Sequence, residues 1–357
     1  MKRKDVIDSI KTAPDRSVLI IGGGINGIGT FRDLALQGVD VILVEQNDFG
    51  SGASAASSHM LHGGIRYLEN GEFRLVREAL RERNLLLQNA PHYAKPLPTT
   101  IPIFSRFSGL LNAPLKFLGL LNKPAERGGL VIGVGLRLYD AYTRNHRMTP
   151  THEFLNRADS LKAYPDLNPQ IVSTATYYDA WMPYPERICL ELVLEAEQAE
   201  QARALNYVSA VDAQDEEVVL RDELSGETFH IRPKIVINAA GPWIDFANRG
   251  LGQETNFIGG TKGSHLILHH PELIEATQGH EFFFENHDGR IVLIFPFIQD
   301  RLIVGTTDIR IDDPDEAVTT EEEIDYILGM LPRVFPNITV ERSHIVFTFS
   351  GVRPLPA

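Results

Sequence analysis

"SVLIIGGGINGIGTFRDLALQGVDVILVEQ", residues 17–46, reads as strand, glycine turn, helix and strand. Val18 to Ile21 is a continuous apolar run, the pattern of a buried parallel strand. The spacing predicts a helix over Ile28–Leu36, ended by Gly38, and a second strand over Val39–Glu45. Between strand and helix, Gly22, Gly24 and Gly27 satisfy G-x-G-x-x-G, with Asn26 inside the turn. The first glycine permits the tight turn, the second lets backbone N–H groups approach a pyrophosphate, and the third lets helix and strand pack closely. The helix N-terminus adds partial positive charge at the same place. Glu45 follows Gly27 by 18 residues, where a carboxylate can accept hydrogen bonds from a ribose. A dinucleotide-binding βαβ unit is the expectation.

Working outward, the 357-residue chain is long enough for two domains. Its apolar content of 43% and charged content of 23% are those of a globular protein. The formal net charge of −13 argues against a general nucleic-acid binder, while a few arginines in a cleft can still attract a small anion. The single cysteine, Cys189, excludes an internal disulfide and a multi-cysteine metal site. The N-terminal residues carry basic groups without a following apolar run, so no signal peptide is read there. No stretch has the length and apolarity of a membrane span.

The segment "SGASAASSHMLHGGIRYLENGEFRLVREAL", residues 51–80, comes next. Its small and hydroxyl residues, Ser54, Ser57 and Ser58 among them, let a bulky group approach the backbone and offer donors to it. An NAD domain would continue with further βα units; this segment favours FAD. "IVINAAGPW" leads a strand into Gly241 after two alanines, as in a chain returning to the same cofactor.

Phe73–Leu87 has helical periodicity. Pro91, Pro96, Pro98 and Pro102 then suggest a break and a domain crossing. A helix is expected over Glu186–Leu205, a strand over Tyr207–Val211, and a hairpin turning at Ser225-Gly226. Residues 256–311 are strand-rich. The expected class is α/β: a Rossmann-like FAD-binding domain with a β-rich substrate-binding domain. The boundaries expected are 1–100 with 172–245 and 345–357 for the first, and 101–171 with 246–344 for the second.

With "APHYAKPLPTTIPIF", "NAAGPW", "TKGSHLIL", "IVGTTD" and "SGVRPL" added to the glycine motif and the 51–80 block, the chain resembles the FAD-dependent glycerol-3-phosphate dehydrogenases. These are respiratory enzymes of the D-amino-acid-oxidase-like flavoprotein group. The resemblance runs over residues 17–355, and the 51–80 block is its most specific part. Phe31 departs from it, standing where a small residue is usual. A second departure is at the end: the family continues past "GVRPL" with a Gly-Gly-Lys-rich flavin segment and a helical domain. The chain is therefore expected to be an N-terminal portion, with weak or absent FAD and little turnover.

The resemblance implies oxidation of sn-glycerol 3-phosphate to dihydroxyacetone phosphate, with electrons passing from FAD to quinone. It puts Arg66 and Arg353 on the phosphate, with Tyr67 and Lys262 beside them; arginine offers a bidentate fork to such an anion. His265 and His62 are the candidates for proton transfer, since imidazole exchanges a proton near neutral pH. Asp308 is read as fixing a turn. Other readings are an oxidase that uses oxygen, a non-catalytic FAD-binding fragment, and an amino-acid oxidase on the same fold, which two arginines and a lysine disfavour. Residues 103–130 mix phenylalanines and leucines with basic residues, and read equally as a packed helix pair or as an interfacial segment meeting a membrane. The expected location is cytoplasmic, with peripheral contact at the membrane face.

Overall fold

A computed structural model of the chain describes residues 3–108, 128–286 and 288–357. The 103–130 segment lies mostly outside these described residues. The strands are β1 (Asp15–Ile21), β2 (Val41–Val44), β3 (Met60–Leu61), β4 (Lys95–Ile103), β5 (Glu153–Asn156), β6 (Ser173–Trp181), β7 (Ala202–Leu205), β8 (Val208–Gln214), β9 (Glu217–Asp222), β10 (Thr228–Asn238), β11 (Thr261–Leu268), β12 (Glu281–Glu285), β13 (Ile291–Phe297), β14 (Arg301–Gly305), β15 (Ile309–Arg310) and β16 (Ile345–Arg353).

Among the described residues they form two sheets. The first is six-stranded, in the order β7-β2-β1-β10-β9-β8. β1 pairs in parallel with β2 and with the second half of β10, whose first half pairs antiparallel with β9. Alternate residues of the central strands face opposite ways. Val18, Ile20, Val41 and Leu43 pack on the helices Ile25–Leu36 and Pro185–Ala196. Leu19, Ile21, Ile42 and Val44 pack on the helix Arg3–Thr12 and on β8 and β9. Both faces are covered, which is why these strands read as unbroken apolar runs. Phe31 is fully buried in the first of these cores.

The second sheet is ten-stranded and mostly antiparallel; along its main path it runs β15-β11-β14-β13-β12-β4-β6-β3, with β16 on β11 and β5 on β6. One face, including Leu266, Leu268, Phe282, Ile294 and Val304, packs under the helix Glu321–Met330. The other carries Leu97, Ile267, Leu293, Phe295 and Ile303.

Two expectations are corrected. The helix read over Glu186–Leu205 ends at Ala196, and Ala202–Leu205 is a strand parallel to β2; four residues are too few to show a period. Pro91 follows the end of the helix Phe73–Asn89, but Pro96, Pro98 and Pro102 do not break the chain: they lie within β4, which pairs with β6 from Lys95↔Trp181 to Ile103↔Ser173. All three occupy even positions, so their missing N–H groups fall on one side of the strand and the alternate residues keep theirs. The expected domain boundaries do not follow the sheets. β3, β6, β16 and most of β4 fall within the expected nucleotide-binding unit, but their ladders belong to the larger sheet; β16 pairs β11 from Thr261↔Arg353 to Leu268↔Ile345.

Candidate functional site

Two cavities adjoin where the sheets meet. The larger, about 1010 Å³, runs along the C-terminal ends of β1 and β2 and is lined by Gly22, Gly24, Asn26, Glu45, Ser54 and Gly241, among others. The smaller, about 480 Å³, is lined by His62, Tyr67, Asp179, His265 and Arg353, among others. Ala53, Ser57 and Pro354 line both.

The glycine turn is built by close contact. Gly22 has φ +108°, and a Cβ there would sit 2.6 Å from the carbonyl oxygen of Ala239. At Gly27 a Cβ would come within 1.9 Å of the Gly22 carbonyl oxygen, so only glycine lets the helix begin here. Gly24 is the N-cap of that helix and supplies no side-chain cap, which leaves first-turn N–H groups for an anion. The Ile25 N–H instead donates to Ser54 Oγ at 2.9 Å, so the small-residue segment is anchored to the helix start. Glu45 accepts from the N–H of Gly23 at 2.7 Å on one oxygen and from Asn47 at 2.8 Å on the other. Each carboxylate oxygen keeps acceptor capacity beyond these bonds. The 51–58 segment lies tightly on β16: a Cβ on Gly351 would be 2.2 Å from the carbonyl oxygen of Ala56.

In the smaller cavity, period-two alternation along β11 decides which side chains are present. Gly263 and His265 line it. His265 is 2% exposed; its ring stacks on Phe349 with centroids 4.8 Å apart, and its Nε2 lies 2.8 Å from Ser58 Oγ. Nδ1 is buried without a hydrogen-bond partner. Burial, then the charge of Arg353, then that of His59, push its pKa down to about 3, so the imidazole is neutral at neutral pH. Arg353 closes one end. Its guanidinium lies across Gly263, where a Cβ would be 2.3 Å from Nη2, and it donates to Asp308 Oδ1 at 3.2 Å, Thr306 Oγ1 at 3.3 Å and the Thr307 carbonyl at 3.3 Å. Asp308, read as a turn residue, thus also orients this arginine. Tyr67 is 40% exposed and its ring covers Gly64, which has φ +68°. His62 is exposed on the cavity wall. The Arg66 side chain lies outside the described residues; its backbone belongs to the 3₁₀ turn Ile65–Asn70.

Lys262 is not part of this cavity, which corrects its expected place beside the phosphate. It lies on the opposite face of β11 from His265 and is 5% exposed. Its Nζ donates to Glu323 Oε2 at 2.8 Å and to the Val318 carbonyl at 2.6 Å. Glu323 also accepts from Ser264 Oγ at 2.8 Å and Thr307 Oγ1 at 2.6 Å, so the pair is fully enclosed by polar partners.

The chain as a whole matches known proteins. The family model of the FAD dependent oxidoreductases matches residues 17–357. The chain belongs to this family. It is 38% identical to a glycerol-3-phosphate dehydrogenase of Synechocystis over 365 residues, covering 95% of this chain and 60% of the relative. It is 34% identical to a D-erythritol 1-phosphate dehydrogenase of Brucella abortus, covering 95% of this chain and 63% of that protein. Among solved structures, the glycerol-3-phosphate dehydrogenase of Bacillus halodurans complexed with FAD superposes with a TM-score of 0.75 at 25% identity, over 100% of this chain and 60% of that one. The chain thus spans about 60% of the length of these relatives.

FAD, the family's cofactor, fits the residues present. The larger cleft has a glycine cradle that a Cβ would fill at Gly22 and Gly27, an uncapped helix start, and a carboxylate at the end of β2. Two residues of the site were not singled out from the sequence, Arg83 and Asp179. Arg83 resembled any other charged residue on an amphipathic helix. The only signal for Asp179 was its place in the otherwise apolar and aromatic run "TATYYDAW" of β6.

Proposed function

We propose that this chain provides the FAD-binding and substrate-binding parts of an enzyme that oxidises a small polyol phosphate, sn-glycerol 3-phosphate, to dihydroxyacetone phosphate. The observation that carries the reading is the cavity holding His265, Arg353 and Tyr67 together, adjoining the dinucleotide cleft at Ala53, Ser57 and Pro354. Glu45 accepts the ribose hydroxyls; Gly22, Gly24, Asn26 and Gly27 receive the pyrophosphate at the helix start. Ser54, Ser57, Ser58 and Gly241 line the remaining contact with the cofactor. Bound FAD supplies the acceptor for the hydrogen on C2 of the substrate.

Arg353 and Arg66 bind the phosphate, with Tyr67 beside them. The Arg353 fork carries more donors than its three protein acceptors use. His265 takes the hydroxyl proton: it is neutral, and Ser58 fixes its ring while Nδ1 stays without a partner. Its low pKa weakens it as a base, and a phosphate dianion near Arg353 offsets the arginine's part of that shift. His62, on the exposed side, is the route by which the proton reaches solvent. The similar proteins include both dehydrogenases and an alpha-glycerophosphate oxidase; we assign quinone to the acceptor role. Among the described residues no helix is long and apolar enough to cross a membrane.

An anaerobic absorbance titration tests the proposal. Visible flavin bands on the FAD-loaded protein should bleach with glycerol 3-phosphate at concentrations where they persist with glycerol. Bands that persist with both would overturn the substrate assignment, and peroxide formed in air would replace quinone by oxygen.

A further inference from the structure

The wall of the smaller cavity contains a carboxylate that the proposed chemistry does not use. Asp179, on β6, is fully buried and lines the cavity that also holds His265 and Arg353. All of its hydrogen bonds fall on one oxygen. Oδ1 accepts from Arg83 Nη1 at 3.0 Å, from the Tyr139 hydroxyl at 2.5 Å and from the Gly63 N–H at 3.1 Å. Oδ2 is buried without a partner.

Asp179 pairs with Arg83, and both side chains are no more than 2% exposed. Arg83 is satisfied elsewhere too, donating to the Tyr178 carbonyl at 2.7 Å and to Asn84 Oδ1 at 3.0 Å. The arrangement is rigid at Gly63, where a Cβ would come within 2.3 Å of Leu80 and 2.4 Å of the Tyr139 hydroxyl. A buried carboxylate oxygen with two open lone pairs is costly unless a donor reaches it. An anionic group is repelled from it; a hydroxyl is not.

We infer that Asp179 is a substrate-binding residue whose Oδ2 accepts a hydrogen bond from the terminal hydroxyl of the substrate, the hydroxyl at the end of the molecule opposite the phosphate. This rests on the polyol phosphate reading and deepens it. Arg353 and Asp179 then orient the substrate by opposite charges, phosphate toward the arginine and hydroxylated end toward the aspartate. The ligand class is a polyol phosphate with a free hydroxyl next to the reacting carbon.

The test is calorimetric binding to the full chain with excess FAD, comparing glycerol 3-phosphate with 2-hydroxypropyl phosphate, which lacks only the terminal hydroxyl. The analogue should bind roughly 10- to 100-fold more weakly, the range for a hydrogen bond to a charged group. Asp179→Asn keeps a carbonyl oxygen for the three donors and replaces Oδ2 by a donor; the preference should shrink to within about threefold. If that variant does not fold, the comparison on the unaltered chain stands by itself. Equal binding of the two compounds to the unaltered chain, or an unchanged preference in a folded variant, overturns the role of Asp179 and leaves the polyol phosphate reading in place. Binding of neither compound overturns both.

Discussion

Ser58 Oγ lies 2.8 Å from Nε2 of His265, joining the small-residue segment that follows the nucleotide-binding unit to β11 of the larger sheet. This contact and the stacked ring of Phe349 hold the imidazole in one orientation. Ser58→Ala removes the partner and leaves a buried ring nitrogen unsatisfied. We expect kcat/KM to fall about 5- to 20-fold, in keeping with a neutral hydrogen bond, and steady-state kinetics check it. Unchanged kinetics would mean that Phe349 packing alone orients the ring.

Arg353→Ala should raise KM for glycerol 3-phosphate and lower kcat/KM by roughly 30- to 150-fold, the value of a lost charge-assisted contact. Glycerol has no phosphate to lose and should be far less affected. Equal losses on both compounds would place the arginine in support of the fold.

For Lys262 the expected outcome is one of stability. Lys262→Met leaves Glu323 buried without its cation, and breaking such a pair costs about 3–5 kcal/mol. Urea unfolding should show a loss of that order, while the folded fraction binds glycerol 3-phosphate as before. A normal midpoint with weakened binding would return Lys262 to the substrate site.

Glu45→Gln preserves shape and the two backbone contacts in part, but removes the charge that strengthens bonds to ribose hydroxyls. FAD affinity should fall roughly 10- to 100-fold, read by fluorescence titration of the flavin. An unchanged dissociation constant would remove Glu45 from the cofactor site.

Glu281 gives a pH signature. It is fully buried on β12, with Thr99 Oγ1 donating at 2.8 Å to Oε2 and with Oε1 unpartnered. Burial raises its pKa to about 8, against the Thr99 bond and with a smaller push from Asp179. A carboxyl raised in the folded state holds its proton there after the unfolded chain has released it. Its stabilising share is therefore complete below the unfolded value of about 4.5 and is lost as pH rises through about 8. Chemical unfolding of Glu281→Gln across pH 5–8 should show a flatter decline than the parent chain. Parallel curves would show that the carboxyl is already ionised in the folded protein.

The sequence by itself determined the parts of this protein that depend on neighbours in the chain. Gly22, Gly24 and Gly27 lie within one turn of a strand end and a helix start, and their physical demand, backbone approach without Cβ, is local. The apolar runs of β1 and β2 encode a sheet covered on both faces. The family is legible for the same reason, since its most specific block is a continuous segment.

The tertiary structure decided what depends on the pairing of distant strands. Lys262 and His265 are three residues apart, and the sequence alone put both at the substrate; the pleat of β11 sends one to Glu323 and the other to the cavity. The prolines of β4 look like breakers until the ladder with β6 shows that they share one side of the strand. Arg83 and Asp179 are 96 residues apart and meet only because the helix Phe73–Asn89 packs on β6. No local pattern marks such a pair, because two buried charges are held by each other and by hydrogen bonds with Tyr139, Gly63, Tyr178 and Asn84 that exist only in the folded chain.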